Sequence, residues 1–128
     1  LGRAGVAFDE RRLCCFQDNI VTLSASEFGY NAAADILQRF PDTDAIYCVN
    51  DNIALGAYKC LSERGLRIPQ DISLCGCEDM LISRYISPAI SSMGYDKAEF
   101  GRLCMNNILE QLKGNTQQER KYILYAEY

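Results

Sequence analysis

The sequence predicts an α/β fold with an open, mostly parallel sheet and helices on both of its faces. Short apolar runs typical of strands alternate with amphipathic helical stretches, and no internal repeat or low-complexity linker interrupts this alternation. With 128 residues, 48% of them hydrophobic, the chain has enough apolar material for one domain with its own core.

The first half of the chain begins this alternation. Residues 3–12 resemble the end of a helix, and the run NIVTLS, which ends at Ser24, is typical of a strand. Apolar residues of the stretch 25–40 share one helical face, and Pro41 ends that helix. Residues 44–50 form an apolar run without alternation, which predicts a strand covered on both faces.

The second half continues in the same way. A helix over 51–64 is expected to end with Gly65 in the C′ position. A strand, a short helical turn and another strand are expected at 71–77, 80–85 and 89–95. Asp96 and Glu99 have the spacing of a capping box, which predicts a helix over 96–113, and the final stretch KYILYAEY predicts a last strand.

The composition argues against several classes of function. A net charge of -4 and a pI near 4.8 do not suit a surface that binds nucleic-acid phosphates. No run is long enough to cross a bilayer, and no signal-peptide pattern opens the chain. Because the chain begins without Met, we expect it to be a fragment. Seven cysteines, an odd number placed partly in apolar runs, suit a reducing compartment, so the expected location is the cytoplasm.

Motifs for catalysis and for cofactor binding are missing from the sequence. It contains no histidine, no Walker A loop, no GxGxxG and no GxSxG motif, so nothing nominates a catalytic residue. The CGC run at 75–77 lacks the further ligands that a metal site requires. No metal and no cofactor are therefore expected.

Polar residues follow the expected strands where each strand ends. Ligands of open parallel sheets bind just beyond the carboxyl ends of the strands, so these residues predict the rim of a pocket. The rim consists of Ser24, Asn50, Asp51, Glu78, Asp79 and Tyr95.

Each rim residue also has a purely structural interpretation. Asn50 or Asp51 is suited to cap a helix, and Ser24 has the spacing of a capping box with Glu27. The acidic pair after the third strand favours the start of the short helix, and the tyrosine packs as an ordinary aromatic side chain. The residues alone leave these alternatives open.

Residues 44–93 closely resemble the effector-binding domain of the LacI/GalR (lactose-repressor) family of bacterial transcription regulators. They match without a gap the family's pattern DAIF-x-x-ND-x-x-ALGA, then ERGLRVP-x-D-[IV]-S, V-x-G-[FY]-DD and ARY-x-x-P-x-LTT. The resemblance implies a periplasmic-binding-protein-like clamp of two α/β subdomains that close on a small molecule, often a sugar or a purine. It also implies a homodimer that binds operator DNA through an N-terminal helix-turn-helix domain, which these 128 residues do not include.

The resemblance assigns roles to four of the rim residues. Asn50 matches the Asn of the ND pair, which commonly hydrogen-bonds the effector, and its neighbour Asp51 is left to cap the helix. Glu78 and Asp79 match the acidic pair that binds ligand hydroxyls or amines. Because Glu78 is one methylene longer than the usual Asp, the ligand accepted should differ.

Other positions depart from the family pattern. Ser24 stands where many members have an aromatic that stacks on a ring, and Arg3 lies one residue beyond the position of a ligand-binding Arg. Tyr95 falls where the chain crosses between the subdomains and sometimes touches the effector. The surfaces that form the family's dimer interface correspond here to Leu55, Met80 and Tyr85.

The resemblance also predicts how the chain is divided. Residues 1–95 form the C-terminal subdomain, 96–114 a crossover helix that normally packs on the absent N-terminal subdomain, and 115–128 the return segment with the last strand. Without that subdomain the crossover helix is expected to be swapped, docked elsewhere or poorly ordered.

The predicted function is effector sensing and dimerisation in a DNA-binding transcriptional regulator. Two alternatives of other classes are an exported sugar-binding protein of a transporter and, less well supported, an α/β enzyme. The cysteine content argues against the first alternative, and the missing catalytic motifs argue against the second.

Overall fold

The computed structural model describes residues 9–15 and 24–114 of the chain. Its elements are a 3-10 turn at Glu10–Arg12, α1 Ala25–Arg39, β1 Ala45–Tyr47, α2 Asp51–Glu63, β2 Ser73–Cys77, α3 Leu81–Tyr85, β3 Ser91–Met93 and α4 Lys97–Leu112. Arg3, most of the first expected strand and the last expected strand lie outside the described residues.

The three described strands form one parallel sheet in the order β1-β2-β3. Tyr47 of β1 pairs with Cys75 of β2, and Cys75 pairs with Ser91 of β3. The predicted α/β fold with an open parallel sheet is therefore confirmed. Because the strands are parallel and neighbouring, their carboxyl ends meet at one edge of the sheet.

Helices α1 and α2 cover one face of this sheet. Ile46 of β1 and Leu74 of β2 belong to the same apolar core as Ala33 of α1 and Leu61 of α2. The faces alternate along β1, and Tyr47 is 61% exposed. Within the described part of the chain only one face of β1 is covered, so the expectation that both faces are covered was wrong. An apolar side chain such as Tyr47 can stand on the exposed face, so an apolar run without alternation does not prove burial on both faces.

Local capping signals explain most of the helix boundaries. Ser24 and Glu27 form the expected capping box at the start of α1, with Glu27 N donating to Ser24 Oγ over 3.2 Å. Gly65 follows α2 with φ +72°, as expected of a C′ glycine. Asp96 caps α4, but the expected reciprocal bond from Glu99 is replaced by an ion pair of Glu99 with Arg102.

Helix α4 carries an uncovered apolar stripe. No residue of α4 is buried, and Phe100, Ile108 and Leu112 are among its exposed apolar side chains. The helix is formed as expected, and its packing on a second subdomain stays a prediction. In the two described ranges, no helix combines the length and the apolar character that a membrane span requires.

All seven cysteines are free thiols, and their reactivity should follow their burial. Burial raises the pKa of the Cys48 thiol to about 12, so at pH 8 roughly one molecule in ten thousand carries the thiolate that reacts. We expect iodoacetamide to label exposed Cys15 and Cys104 in the folded protein and Cys48 only in denaturant. Peptide mass spectrometry measures this, and equal labelling of Cys48 and Cys104 in the folded state would contradict it.

Candidate ligand-binding site at the carboxyl edge of the sheet

Three strand ends converge at the edge where the sequence places the pocket rim. Asn50 and Asp51 follow β1, the turn Glu78–Met80 follows β2, and Ser92–Tyr95 includes the end of β3. Hydrogen bonds join these segments: Glu78 N donates to Met93 O over 2.7 Å, and Met80 N donates to Asp51 Oδ2 over 2.6 Å. The candidate positions are the six of the rim and Arg3. The structure brings five of these seven together at this edge: Asn50, Asp51, Glu78, Asp79 and Tyr95.

Asn50, and not Asp51, caps α2. Asn50 is the N-cap of α2, because its side-chain oxygen accepts a 2.9 Å bond from Ile53 N. The expectation that Asp51 caps the helix was wrong. Asn50 as a whole is half-buried.

Asp51 is completely buried at the start of α2. Its Oδ2 accepts the bond from Met80 N, and its Oδ1 accepts a 2.7 Å bond from Ser92 Oγ. A buried carboxyl group requires such partners, because leaving it without them costs several kcal/mol, about 1–3 even for a neutral polar group. Asp51 therefore crosslinks the ends of all three strands.

The turn after β2 has an unusual backbone. Glu78 has φ +97° and Asp79 has φ +46°, both in the region that glycine favours. Consecutive non-glycine residues with positive φ are strained, and such strain persists only where surrounding contacts impose it. Here Asp79 N donates to Ser92 Oγ over 3.0 Å, so β3 supplies one of those contacts.

Two cationic side chains already bind Asp79. Arg84 donates to its carboxylate through both Nε, at 3.1 Å, and Nη2, while Lys97 Nζ donates to the Asp79 carbonyl over 3.0 Å. The hydrogen bond from the Arg84 guanidinium lowers the pKa of Asp79, and the same bond raises the pKa of Arg84. A ligand that uses this carboxylate must share it with Arg84.

The remaining rim candidates differ in what they contribute. Ser24 uses its backbone amide and hydroxyl in the capping box of α1, the structural alternative expected for it. Tyr95 is 38% exposed and packs edge-to-face on Phe100 at 5.6 Å between ring centroids. Arg3 lies outside the described residues.

The sequence reasoning missed Ser92 and Arg84. Ser92 pairs in register with Gly76, so it lies on the face of the sheet that α2 covers and reaches Asp51. The sequence did contain a signal for Ser92, because Ser91 and Ser92 form a polar pair inside an otherwise apolar run. Arg84 follows Asp79 by five residues and lies in α3, and its hydrogen bonds to the Asp79 carboxylate had no signal in the sequence.

The residues expected in a dimer interface lie around α3. Leu55 is half-buried on α2, Met80 is half-buried at the N-cap of α3, and Tyr85 is 75% exposed at its end. Tyr85 forms an exposed apolar patch, here called the α3 patch, with Leu81 and Ile82.

A parallel sheet with polar groups at its carboxyl edge is typical of open α/β ligand-binding domains. A family model described as "Periplasmic binding protein-like domain" matches residues 11–127. The chain belongs to this family of periplasmic-binding-protein-like domains.

Named relatives agree with this assignment. The ribose operon repressor of Haemophilus influenzae is 36% identical over 98 residues, which cover 77% of this chain and 30% of the repressor. A LacI family transcriptional regulator from Arthrobacter sp. FB24, solved in complex with lactose, has a TM-score of 0.70 at 30% identity and covers 80% of this chain and 40% of its own. The cellobiose complex of the transcriptional regulator CelR has a TM-score of 0.84 at 25% identity, covering 98% and 36%.

The predicted resemblance to the LacI family is thus confirmed. The chain spans less than half the length of each of these relatives.

Proposed function

We propose that the chain is the effector-sensing part of a LacI-family transcription regulator, in which a sugar or purine-like molecule binds at the carboxyl edge of the sheet and modulates operator binding. The observation that carries this proposal is the convergence of three polar strand ends in a chain whose relatives include lactose and cellobiose complexes. The domain binds its effector without transforming it.

The proposed contacts follow from the groups that border the edge. The Asn50 amide donates to a ligand hydroxyl or carbonyl, since its oxygen is used by the cap. Glu78 accepts from ligand hydroxyls or amines, and Asp79 does so while paired with Arg84. Tyr95, Ser24 and Arg3 are proposed to complete the pocket, although Ser24 and Arg3 depart from the family pattern.

The assembly around this site is also a proposal. Two chains associate as a homodimer through the α3 patch, with Leu55 and Met80 at its border, because a contiguous apolar surface is a common mark of an interface. Operator DNA is bound by a helix-turn-helix domain outside these residues, in the cytoplasm and without a membrane partner. The apolar stripe of α4 packs on the other subdomain of the clamp.

A thermal-shift screen of the intact protein tests the function. The panel consists of D-ribose, lactose, cellobiose, ribose 5-phosphate, adenosine, hypoxanthine and guanine. A ligand present at about 100 times its dissociation constant stabilises the folded state by about 2.7 kcal/mol. If the protein unfolds cooperatively and no ligand of the panel raises its unfolding temperature, the proposed ligand classes are contradicted.

The role of Asn50 is tested with two substitutions that differ in their ability to cap the helix. Asn50→Ser keeps a good N-cap, whereas Asn50→Ala loses about 1 kcal/mol of helix stability. Both remove the amide donor, so both should weaken binding of a sugar found in the screen by roughly tenfold. Isothermal titration calorimetry gives the affinity. An Asn50→Ser protein with unchanged affinity would show that Asn50 does not contact the sugar.

A further inference from the structure

We propose that Asp51 is a positioning residue, which acts through Ser92 to hold the Glu78–Met80 turn in the conformation that presents its acidic side chains at the edge of the sheet. The inference rests on the proposed function, since that function makes the turn part of the effector site. Asp51 itself is fully buried and borders no open space, so it acts through its neighbours.

The first support is the division of the Asp51 carboxyl group between two segments. One oxygen accepts from Met80 N over 2.6 Å, and the other accepts from Ser92 Oγ over 2.7 Å. Ser92 Oγ in turn accepts from Asp79 N over 3.0 Å. Asp51 therefore holds two consecutive amides of the turn. It binds the Met80 amide directly and the Asp79 amide through the Ser92 hydroxyl.

The second support is the space reserved for this carboxyl group. A Cβ atom on Gly76 would lie 2.1 Å from Asp51 Oδ1, far inside van der Waals contact. Gly76 lies on the covered face of β2, in register with Ser92. A side chain at this strand position would occupy the place of the Asp51 carboxyl group, so Gly76 and Asp51 form one arrangement.

The third support is the strain in the turn itself. Glu78 and Asp79 both have positive φ, a conformation that an isolated turn of these residues would leave. Besides the bond from Glu78 N to Met93 O, the amide bonds to Ser92 and Asp51 oppose that relaxation. Without the Asp51–Ser92 pair, the turn keeps one of its three amide anchors.

The same contact reaches the start of α3. Met80 is the N-cap of α3 and has no side-chain capping bond of its own among the described residues. Its backbone amide is instead fixed by Asp51, and its carbonyl accepts from Ser83 N over 3.0 Å. The position of the turn and the beginning of the helix that carries the α3 patch are thus set by one buried side chain.

Amide hydrogen exchange of the intact protein without ligand tests this proposal. The variants are Asp51→Asn, Ser92→Ala and Ser92→Thr, with Leu61→Val as a control that weakens the core away from the turn. We expect the Asp79 and Met80 amides to exchange about tenfold faster in Ser92→Ala and Asp51→Asn, relative to the Cys48 amide that bonds Cys75 O in the sheet. Ser92→Thr keeps the hydroxyl and should restore protection.

The comparison between amides separates positioning from general destabilisation. Leu61→Val should raise exchange at Cys48 and at the turn together, whereas loss of the pair should act on the turn alone. Unchanged turn protection in Ser92→Ala, or an equal rise at Cys48 in every variant, would overturn the proposal. Ser92→Ala provides this result even if Asp51→Asn does not fold.

A second measurement separates this proposal from the proposed function. Calorimetric titration of D-ribose, lactose and cellobiose into the wild type and Ser92→Ala should show a weaker affinity, by roughly tenfold, in the variant. If none of the three sugars binds the wild type, the proposed function fails for sugars, and the exchange result still decides the role of Asp51. If a sugar binds both proteins with equal affinity, the Asp51–Ser92 pair does not position the turn for binding.

Discussion

Gly56→Ala is expected to lower the free energy of unfolding by about 3 kcal/mol or more and to leave little folded domain, because the new methyl group has no space. A Cβ atom on Gly56 would lie 1.8 Å from Ser26 O and 2.8 Å from Tyr30 N. Both are backbone atoms of α1, so no side-chain rotation relieves the overlap. The two helices would have to separate along the contact that buries much of the core.

The contact is reciprocal, which strengthens this expectation. A Cβ atom on Gly29 of α1 would lie 2.0 Å from Ile53 O of α2, so each helix places a glycine against the other's backbone. Such close approach leaves no layer of side chains that could repack. Ile53 itself is buried in the core, so a displacement of its backbone would also disturb apolar packing.

Gly101→Ala is the matched control for this substitution. Gly101 lies inside α4, and no atom of the described residues beyond the helix's own backbone lies within 4 Å of an added Cβ atom, so alanine should stabilise the helix by about 0.5–1 kcal/mol. Urea unfolding followed by circular dichroism measures both changes. A Gly56→Ala protein whose unfolding midpoint equals that of the wild type would show that α1 and α2 do not meet as closely as described.

Local patterns were sufficient to predict most of the elements within the described residues. The apolar spacing and the caps placed α2, α3 and α4 within a few residues of their bounds, because these signals lie within one or two helical turns. The close approach of α1 and α2 had no such signal. Gly29 and Gly56 are ordinary helix glycines in the sequence, and their role depends on a contact between residues far apart in the chain.

The candidate site shows the same division. The sequence indicated that the Asn50–Asp51 pair matters, but Asn and Asp are equally good N-caps, so local preference could not assign the cap. Distant residues decide it: Gly76 leaves room for the Asp51 carboxyl group, and Met80 and Ser92 supply its donors. The position of the rim was predictable from strand ends, whereas the hydrogen bonds that build it were not.

Tyr85→Asp is expected to weaken the proposed homodimer by at least about a hundredfold. Tyr85 is 75% exposed in the single chain and forms the α3 patch with Leu81 and Ile82. In a symmetric dimer each chain contributes the same patch, so the substitution would place a charge in the interface twice. An uncompensated buried charge costs about 3 kcal/mol or more, which corresponds to that loss of affinity.

The outcome depends on comparing association with folding. Analytical ultracentrifugation of the intact protein gives the dimer dissociation constant, and Tyr85→Phe, which keeps the aromatic area, should leave it near the wild-type value. Since Tyr85 makes little contact within its own chain, both variants should unfold at the wild-type urea midpoint when measured as monomers. A Tyr85→Asp protein that dimerises as tightly as the wild type would show that the dimer interface does not include the α3 patch.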